Sequence, residues 1–487
     1  MLAPPETFGI FDQTSEMKRK TTVVAADLQT LVLGGLRVAD AGIVAAAGFA
    51  AYWARHDNLA VPDLYLIAIL AAMGLAANYL QIARVYVFEN LSRLASQFGK
   101  IAMAWTGVMA SLIALAYFTQ TSVAFSRAFA LGWLALGFGG LILVRLLLLV
   151  QIDRWRRQGR LAMNVAVIGA GEMGRAFLKH LAAVATHECR IVGVFDDRKD
   201  RMPETIEGQR LAGTVDDLIA YCRTHPVDEI VVALPWQASA DLQELIKKLK
   251  IVPVDVKLCP DYIGTYLPAR GFHAIAGIPM LSVLERPLSG WSLVLKGLED
   301  RVLAALLLVL LGPLLLGIAA LVKLDSPGPA LFRQRRYGFA NNEITVFKFR
   351  TMYHQRADDA SVPQATRNDP RVTRIGKFLR RSSLDEFPQL LNVLRGDMSL
   401  VGPRPHAVAH NEQYATIIDD YLARHRVKPG MTGWAQVNGL RGETDTPEKM
   451  RRRVQFDLHY IDNWSLLFDL KILALTPLAI LGKENAY

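Results

Sequence analysis

Two carboxylates stand side by side, Asp385 and Glu386, in the stretch SSLDEFPQLLNVLRGDMSLVGPRP at residues 382–405. Arg371, Arg374, Arg380 and Arg381 precede the pair, and Arg395 and Arg404 follow it. A carboxylate among cations stays ionised, which suits a nucleophile or a magnesium ligand. The same two acids also fit the first turn of a helix, where the dipole favours negative charge. Ser383 and Glu386 have capping-box spacing, and Leu390, Leu391 and Leu394 follow at helical spacing. Pro388 loosens that start, because it cannot donate to the carbonyl of Leu384. Both readings stand on the local sequence.

A second basic run lies upstream. Residues 330–352 alternate in a way that predicts a β-hairpin turning at residues 340–342, and they carry Arg333, Arg335, Arg336, Lys348 and Arg350. Arginine forks match phosphate oxygens, although a solvated basic face has the same composition. Further on, RVKPGMTGWAQVNGLRGETDTPEKM is rich in turn formers and offers Gln436, Asn438 and Arg441 to a sugar or a base.

The elements that must position these groups follow from composition. A chain of 487 residues calls for about three units. Hydrophobic residues make up 52%, the formal charge is +10 and the mean hydropathy is +0.22. That balance points to a membrane and anionic ligands, with no motif for nucleic acid. Cys189, Cys222 and Cys259 fit no metal or redox spacing and read as structural thiols of a reducing compartment. Nothing at the start reads as a cleavable signal peptide.

Four apolar stretches, near 31–53, 64–82, 101–120 and 128–150, are each long enough to cross a bilayer. Lys18, Arg19 and Lys20 precede the first, and Arg84, Arg93 and Lys100 lie between the second and third. Arg154, Arg156, Arg157 and Arg160 follow the fourth, whereas the alternate loops carry only Arg55 and Arg127. The positive-inside rule then puts the N-terminus and everything after residue 150 in the cytoplasm. Arg37, Asp40 and Arg145 fall inside the spans, and they read either as a lipid headgroup site or as side chains snorkelling to the interface.

Residues 164–168 form a short apolar strand running into GAGEMG, with Gly169, Gly171 and Gly174, and then a helix. A second strand ends in Asp196-Asp197. This is a Rossmann-like pattern, and Asp196 is the candidate ribose ligand of a nucleotide site. The acid lies beyond the usual spacing of about 20 residues, so a degenerate or regulatory domain is the preferred reading. Residues 261–300 read as a linker.

The run 302–322 is apolar, with Gly312-Pro313 at its centre. Arg301 and Lys323 flank it, and a fifth crossing would put the basic remainder of the chain outside. A re-entrant hairpin broken at Gly312 and Pro313 fits better, each half being about 16 Å of helix. Residues 464–481 read as a helix lying at the interface.

From residue 296 onward the motifs resemble one family. The apolar hairpin, KFRTM at 348–352, NDPRVTRIGKFLRRSSLDEFPQLLNVLRGDMSLVGPRP at 368–405 and KPGMTGWAQVNG at 428–439 are similar to the bacterial sugar transferases. These are the monotopic phosphoglycosyl transferases that load a sugar phosphate onto a polyprenyl phosphate. The long form, with RGETDT and RRVQFDLHYIDNWSLLFDLKIL, resembles the undecaprenyl-phosphate glucose phosphotransferases. Gly312-Pro313 stands where small members often have Ser-Pro.

The resemblance implies a role for each acid. Asp385 would attack the β-phosphorus of a UDP-sugar, and Glu386 would bind Mg²⁺. Arg380 and Arg404 would hold phosphates, joined by Lys348 and Arg350 from the upstream run. The partners implied are UDP-glucose or another UDP-sugar, undecaprenyl phosphate, the lipid bilayer and downstream glycosyltransferases. The seat is the cytoplasmic face of the bacterial inner membrane.

The expected organisation is a membrane α/β protein. It comprises a tail at 1–30, four transmembrane helices at 31–150, a Rossmann-like cytoplasmic domain at 151–270, a linker at 271–295 and a monotopic α+β catalytic domain at 296–487. Competing readings are an oxidoreductase or epimerase working through the Rossmann-like domain, a non-catalytic scaffold of polysaccharide assembly, and the same transfer with galactose or an N-acetylated sugar.

Overall fold

The structure is a computed structural model. It describes residues 25–481 except 59, 92–93, 185–188, 199–204, 236–238, 261–272, 276–277, 354–368, 407–410, 412–413, 415–416, 419 and 441–445. Lys18, Arg19, Lys20, Arg93 and Arg441 therefore lie outside the described residues.

Long apolar runs with few charges form long helices, here α1 (Ala25–His56), α2 (Asp63–Ile82), a short α3 (Phe88–Leu91), α4 (Leu94–Phe118) and α5 (Arg127–Arg157). The four long ones are each apolar enough to cross a membrane. They pack around Val44, Ile69, Trp105, Trp133 and Leu141. Trp133 Nε1 donates to the Val44 carbonyl and Trp105 Nε1 to the Leu134 carbonyl, both at 2.9 Å. Such bonds matter where no water can take their place. Gly137 is required by packing, since a Cβ there would lie 2.4 Å from the Trp105 ring.

Arg145 does not snorkel. Its guanidinium is buried and forked onto the Asp40 carboxylate, with Nη2 to Oδ2 at 2.7 Å, and Tyr86 donates to the same carboxylate at 2.7 Å. An opposite charge within the bundle removes the need to reach water. Arg37 stays exposed, bonds Gln81 and lies 5.2 Å from the Tyr86 ring centre.

The next unit is an eight-stranded sheet in the order β3-β4-β2-β1-β5-β6-β8-β7. Its strands are β1 (Met163–Ile168), β2 (Cys189–Phe195), β3 (Thr205–Ile206), β4 (Gln209–Gly213), β5 (Glu229–Val232), β6 (Asp255–Leu258), β7 (His273–Ile275) and β8 (Ile278–Leu284). β4, β2, β1, β5 and β6 run parallel, flanked by α6 (Glu172–Val184), α7 (Val215–Thr224) and α8 (Ser239–Leu249). The order reverses at β1, which is where the glycine loop sits.

The expected linker at 271–295 is corrected. β7 and β8 complete the sheet, β8 pairing antiparallel with β6. Its prolines mimic a loop, but Ile278 and Met280 are buried against the sheet core, and that burial decides the matter.

α9 (Trp291–Asp325) starts the last unit. The two half-helices expected on either side of Gly312-Pro313 are one helix, with Pro313 inside it. A proline removes one intrahelical bond and can bend a helix without ending it. Many of its side chains are exposed and apolar, Val309 and Leu316 among them. The predicted hairpin follows as β9 (Leu331–Tyr337) and β10 (Glu343–Phe349), joined through a turn in which Ala340 and Asn341 have positive φ.

Then come α10 (Arg374–Ser382), α11 (Leu390–Arg395), β11 (Ser399–Val401), β12 (Gly430–Thr432), α12 (Trp434–Val437), α13 (Pro447–Asp462) and α14 (Leu466–Leu481). α14 is not simply laid on a polar surface. Asp469 is fully buried and accepts from Lys296 Nζ at 2.7 Å, Tyr460 Oη at 2.8 Å and Trp464 Nε1 at 2.9 Å.

Candidate active site

The acidic pair does not lie in the first turn of an α-helix. Ser383 takes φ +59 and ends α10, and residues Leu384–Gln389 form a 3-10 helix leading into α11. Pro388 has no N–H to return to Leu384, so the tighter winding wins. The expected capping box is absent, since Ser383 makes no side-chain capping bond to this helix. Glu386 is spent elsewhere.

Glu386 Oε1 accepts from Lys348 Nζ at 2.8 Å and Arg404 Nη2 at 2.6 Å, and its Oε2 accepts from Arg404 Nη1 at 2.9 Å. Burial alone would raise this carboxyl, but Arg404 and Lys348 hold it well below the usual glutamate value. Asp385 behaves in the opposite way. No donor among the described residues bonds its carboxylate, and burial first, then the charge of Glu386, push it up to about 6. Lys348, Arg404 and Arg380 pull against that rise. Sequence reasoning expected Asp385 to stay ionised among the arginines; it counted those charges and not the burial that raises the carboxyl.

Three elements bring these groups together. β10 carries Lys348, the 3-10 helix carries the acids, and the Gly-Pro-Arg-Pro turn after β11 carries Arg404. Asn392, fully buried on α11, stitches the first two: its Nδ2 donates to the Thr345 carbonyl at 2.7 Å and its Oδ1 accepts from Phe347 N at 3.0 Å. Gly376 lets α10 press on the KFRTM segment, where a Cβ would meet the Thr351 carbonyl at 2.1 Å. That contact leads Arg380 Nε to Thr351 Oγ1, at 2.9 Å, near the acids.

Of the four candidate phosphate-binding residues, Lys348, Arg404 and Arg380 gather around the acids. Arg350 does not join them. Its guanidinium donates to the carbonyls of Pro327 at 2.7 Å, Ser326 at 2.6 Å and Val322 at 3.3 Å, closing the C-terminal end of α9.

Sequence reasoning placed Arg336 in the basic run that could grip phosphates, without giving it an individual role. It is half-buried beside Lys348 and Arg404, donates to the Pro405 carbonyl at 2.9 Å, and is pushed down to about 10 by desolvation and by Arg404. Behind the turn, Arg424 donates to the Arg404 carbonyl at 2.9 Å, to His406 Nδ1 at 3.0 Å and to Asp457 at 2.8 Å. Only the arginine-rich composition hinted at these two.

Among the described residues no three His, Cys, Asp or Glu side chains could hold a metal by themselves. The acidic pair still has capacity: Asp385 is unbonded, and three of the roughly four acceptor positions of Glu386 are filled. That donor set fits magnesium, which takes one or two carboxylates and completes its shell from phosphates and water.

The glycine loop is a separate matter. Gly169 has φ +108, and Gly174 packs against the Gly169 carbonyl. Asp196, the expected ribose ligand, is buried and turned into the protein, accepting from Ala170 N at 2.9 Å and from Arg198 Nε at 3.1 Å. Gly171 has open space around it.

A bacterial sugar transferase family model matches residues 291–483, and a CoA-binding domain model matches residues 81–260. A UDP-glucose:undecaprenyl-phosphate glucose-1-phosphate transferase of Xanthomonas campestris pv. campestris is 36% identical over 93% of this chain and 94% of its own. The transferase of the same name from Escherichia coli (strain K12) is 39% identical, over 90% and 94%. An exopolysaccharide production protein of Rhizobium leguminosarum bv. phaseoli is 47% identical over 40% of this chain, which is 99% of that shorter protein.

Proposed function

The chain belongs to the bacterial sugar transferase family, and on that premise we propose that it transfers glucose 1-phosphate from UDP-glucose to undecaprenyl phosphate, releasing UMP. Relatives matched over nearly their full length are named for that reaction.

The observation that supports the division of labour is the contrast within the acidic pair. Glu386 is fixed by two cations, whereas Asp385 is held without a donor. An unbonded carboxylate keeps its lone pairs for attack. A carboxylate oxygen of Asp385 bonds to the β-phosphorus of UDP-glucose, and the bond from that phosphorus to the bridging oxygen breaks, so that UMP leaves with the electron pair. A phosphate oxygen of undecaprenyl phosphate then attacks the same phosphorus and expels the Asp385 carboxylate. The product is a lipid-linked diphosphoryl glucose.

Lys348, Arg404 and Arg380 offset the charge of the diphosphate and orient it. Glu386, together with diphosphate oxygens, would hold Mg²⁺, which when bound offsets charge gained by the leaving phosphate.

The membrane arrangement belongs to the same reading. Both ends of α9 are bonded to one body. Lys296 meets Asp469 near its start, where Asp300 also accepts from Ser399 and Leu400; Arg350 and Ile375 N meet its final turn. A straight helix of 35 residues would be about 52 Å long. These contacts support a re-entrant α9, bent at Gly312-Pro313, that enters and leaves the bilayer on one face. Four crossing helices, an inner-membrane seat and a cytoplasmic catalytic domain complete the proposal. There a soluble nucleotide sugar and a lipid phosphate can meet, and the product passes to downstream glycosyltransferases.

The test is UMP release from UDP-glucose with undecaprenyl phosphate present. Asp385→Asn should lose at least about a thousandfold in rate while keeping its helical signal and melting no lower than the unsubstituted protein. Persistent turnover in that variant would sink the nucleophile assignment.

A further inference from the structure

The Rossmann-like unit touches the catalytic unit at the two ends of one short segment. Residues Tyr421–Arg426 form a 3-10 helix whose N-cap, Asp420, accepts two hydrogen bonds at 2.9 Å from Lys250 Nζ. Lys250 follows α8 of the Rossmann-like unit. At the other end, Arg426 donates to the carbonyl of Glu285, which follows β8. Between these two grips the helix points inward. Tyr421 and Arg424 both reach His406 Nδ1, and Arg424 holds the Arg404 carbonyl. Arg404 in turn forks onto Glu386.

The inward side is stiff. Arg424 is buried with Asp457, and an arginine N–H can only donate, so His406 Nδ1 is the acceptor and the ring orientation is fixed. A shift of the helix at either end must therefore carry Arg404 with it, because packed interiors transmit displacement. Asp420 stands at φ +61, a conformation that aspartate and asparagine tolerate better than other side chains with a Cβ. The outer end of the relay is thus tied to a residue whose backbone is already set apart.

The shorter Rhizobium relative adds a second line. Virtually all of it matches only 40% of this chain, so a chain of the transferase family can stand without the other units. The grip from Lys250 is an addition to that core.

We propose that Lys250, from the Rossmann-like unit, is a positioning residue for the active site, acting through Asp420 and the Tyr421–Arg426 helix on Arg404. The proposal rests on the reaction given above. It gives the Rossmann-like unit, whose Asp196 is occupied internally, a mechanical influence on transfer.

The experiment is a double-mutant cycle on the full-length protein in nanodiscs, measuring kcat and KM for UMP release from UDP-glucose. Lys250→Met and Asp420→Asn should each lower kcat about fivefold. The double variant should be no slower than either single, because both remove one contact. Lys250→Arg should keep most of the rate, and all variants should melt near the unsubstituted protein. Single variants at full rate would overturn the proposal, as would losses that multiply in the double variant or a rate change that follows melting temperature alone. An inactive unsubstituted protein would instead overturn the reaction on which it rests.

Discussion

Arg404 lays both terminal nitrogens of its guanidinium on the Glu386 carboxylate, Nη1 to Oε2 at 2.9 Å and Nη2 to Oε1 at 2.6 Å. Lys348 takes a second position on Oε1. The fork matches a planar carboxylate in a way a single ammonium cannot. Arg404→Lys is therefore expected to lower kcat by about 10- to 100-fold, with a smaller change in KM for UDP-glucose. Steady-state kinetics of the two proteins decide it; an unchanged kcat would remove Arg404 from the transfer step.

The rate should depend on pH through Asp385. Its carboxyl is raised to about 6, by burial first and then by Glu386, and only the ionised form attacks phosphorus. The rate should climb with pH through about 6 and level above it. Stability runs the other way. A carboxyl raised on folding contributes its full stability below its unfolded value and loses it as pH rises through about 6. Asp385→Asn should consequently melt ~2–4 °C above the unsubstituted protein at pH 8, with the gap closing toward pH 4. Melting curves at the two pH values test this.

Asp40 and Arg145 form a buried pair between α1 and α5. Removing one partner strands the other, so Asp40→Asn should destabilise the bundle by about 3–5 kcal/mol. Asp40→Leu with Arg145→Met should recover much of that loss. Detergent-resistant thermal unfolding of the single and double variants is the measurement, and a single variant as stable as its parent would contradict the pairing.

Arg350 separates a structural role from a phosphate role. Its three carbonyl partners at the end of α9 predict that Arg350→Ala costs about 1–3 kcal/mol of stability. KM for UDP-glucose should stay within about twofold of its original value. A large rise in KM without loss of stability would return Arg350 to the substrate site.

What the sequence determined by itself is what neighbouring residues encode. Runs of about 20 apolar residues mark the long helices, because a bilayer has a fixed thickness. The glycine loop after a short strand marks the Rossmann-like unit, and the alternation through residues 330–352 marks the hairpin that carries Lys348. The adjacent acids and their arginines could be picked out as a candidate site because composition and spacing are local.

Tertiary structure decided which charge meets which. Lys348 and Glu386 are 38 residues apart, and Asp40 and Arg145 are 105 apart, so no periodicity links them. Asn392 gave no signal as part of the site, and Arg336 was one of several arginines in a basic run, because their roles depend on a carbonyl that only folding brings near. Arg350 resembled a phosphate ligand until the end of α9 claimed it. The values of Asp385 and Glu386 diverge for the same reason: both are partly buried, but the cations bond only one of them, and desolvation and pairing are properties of the packed chain.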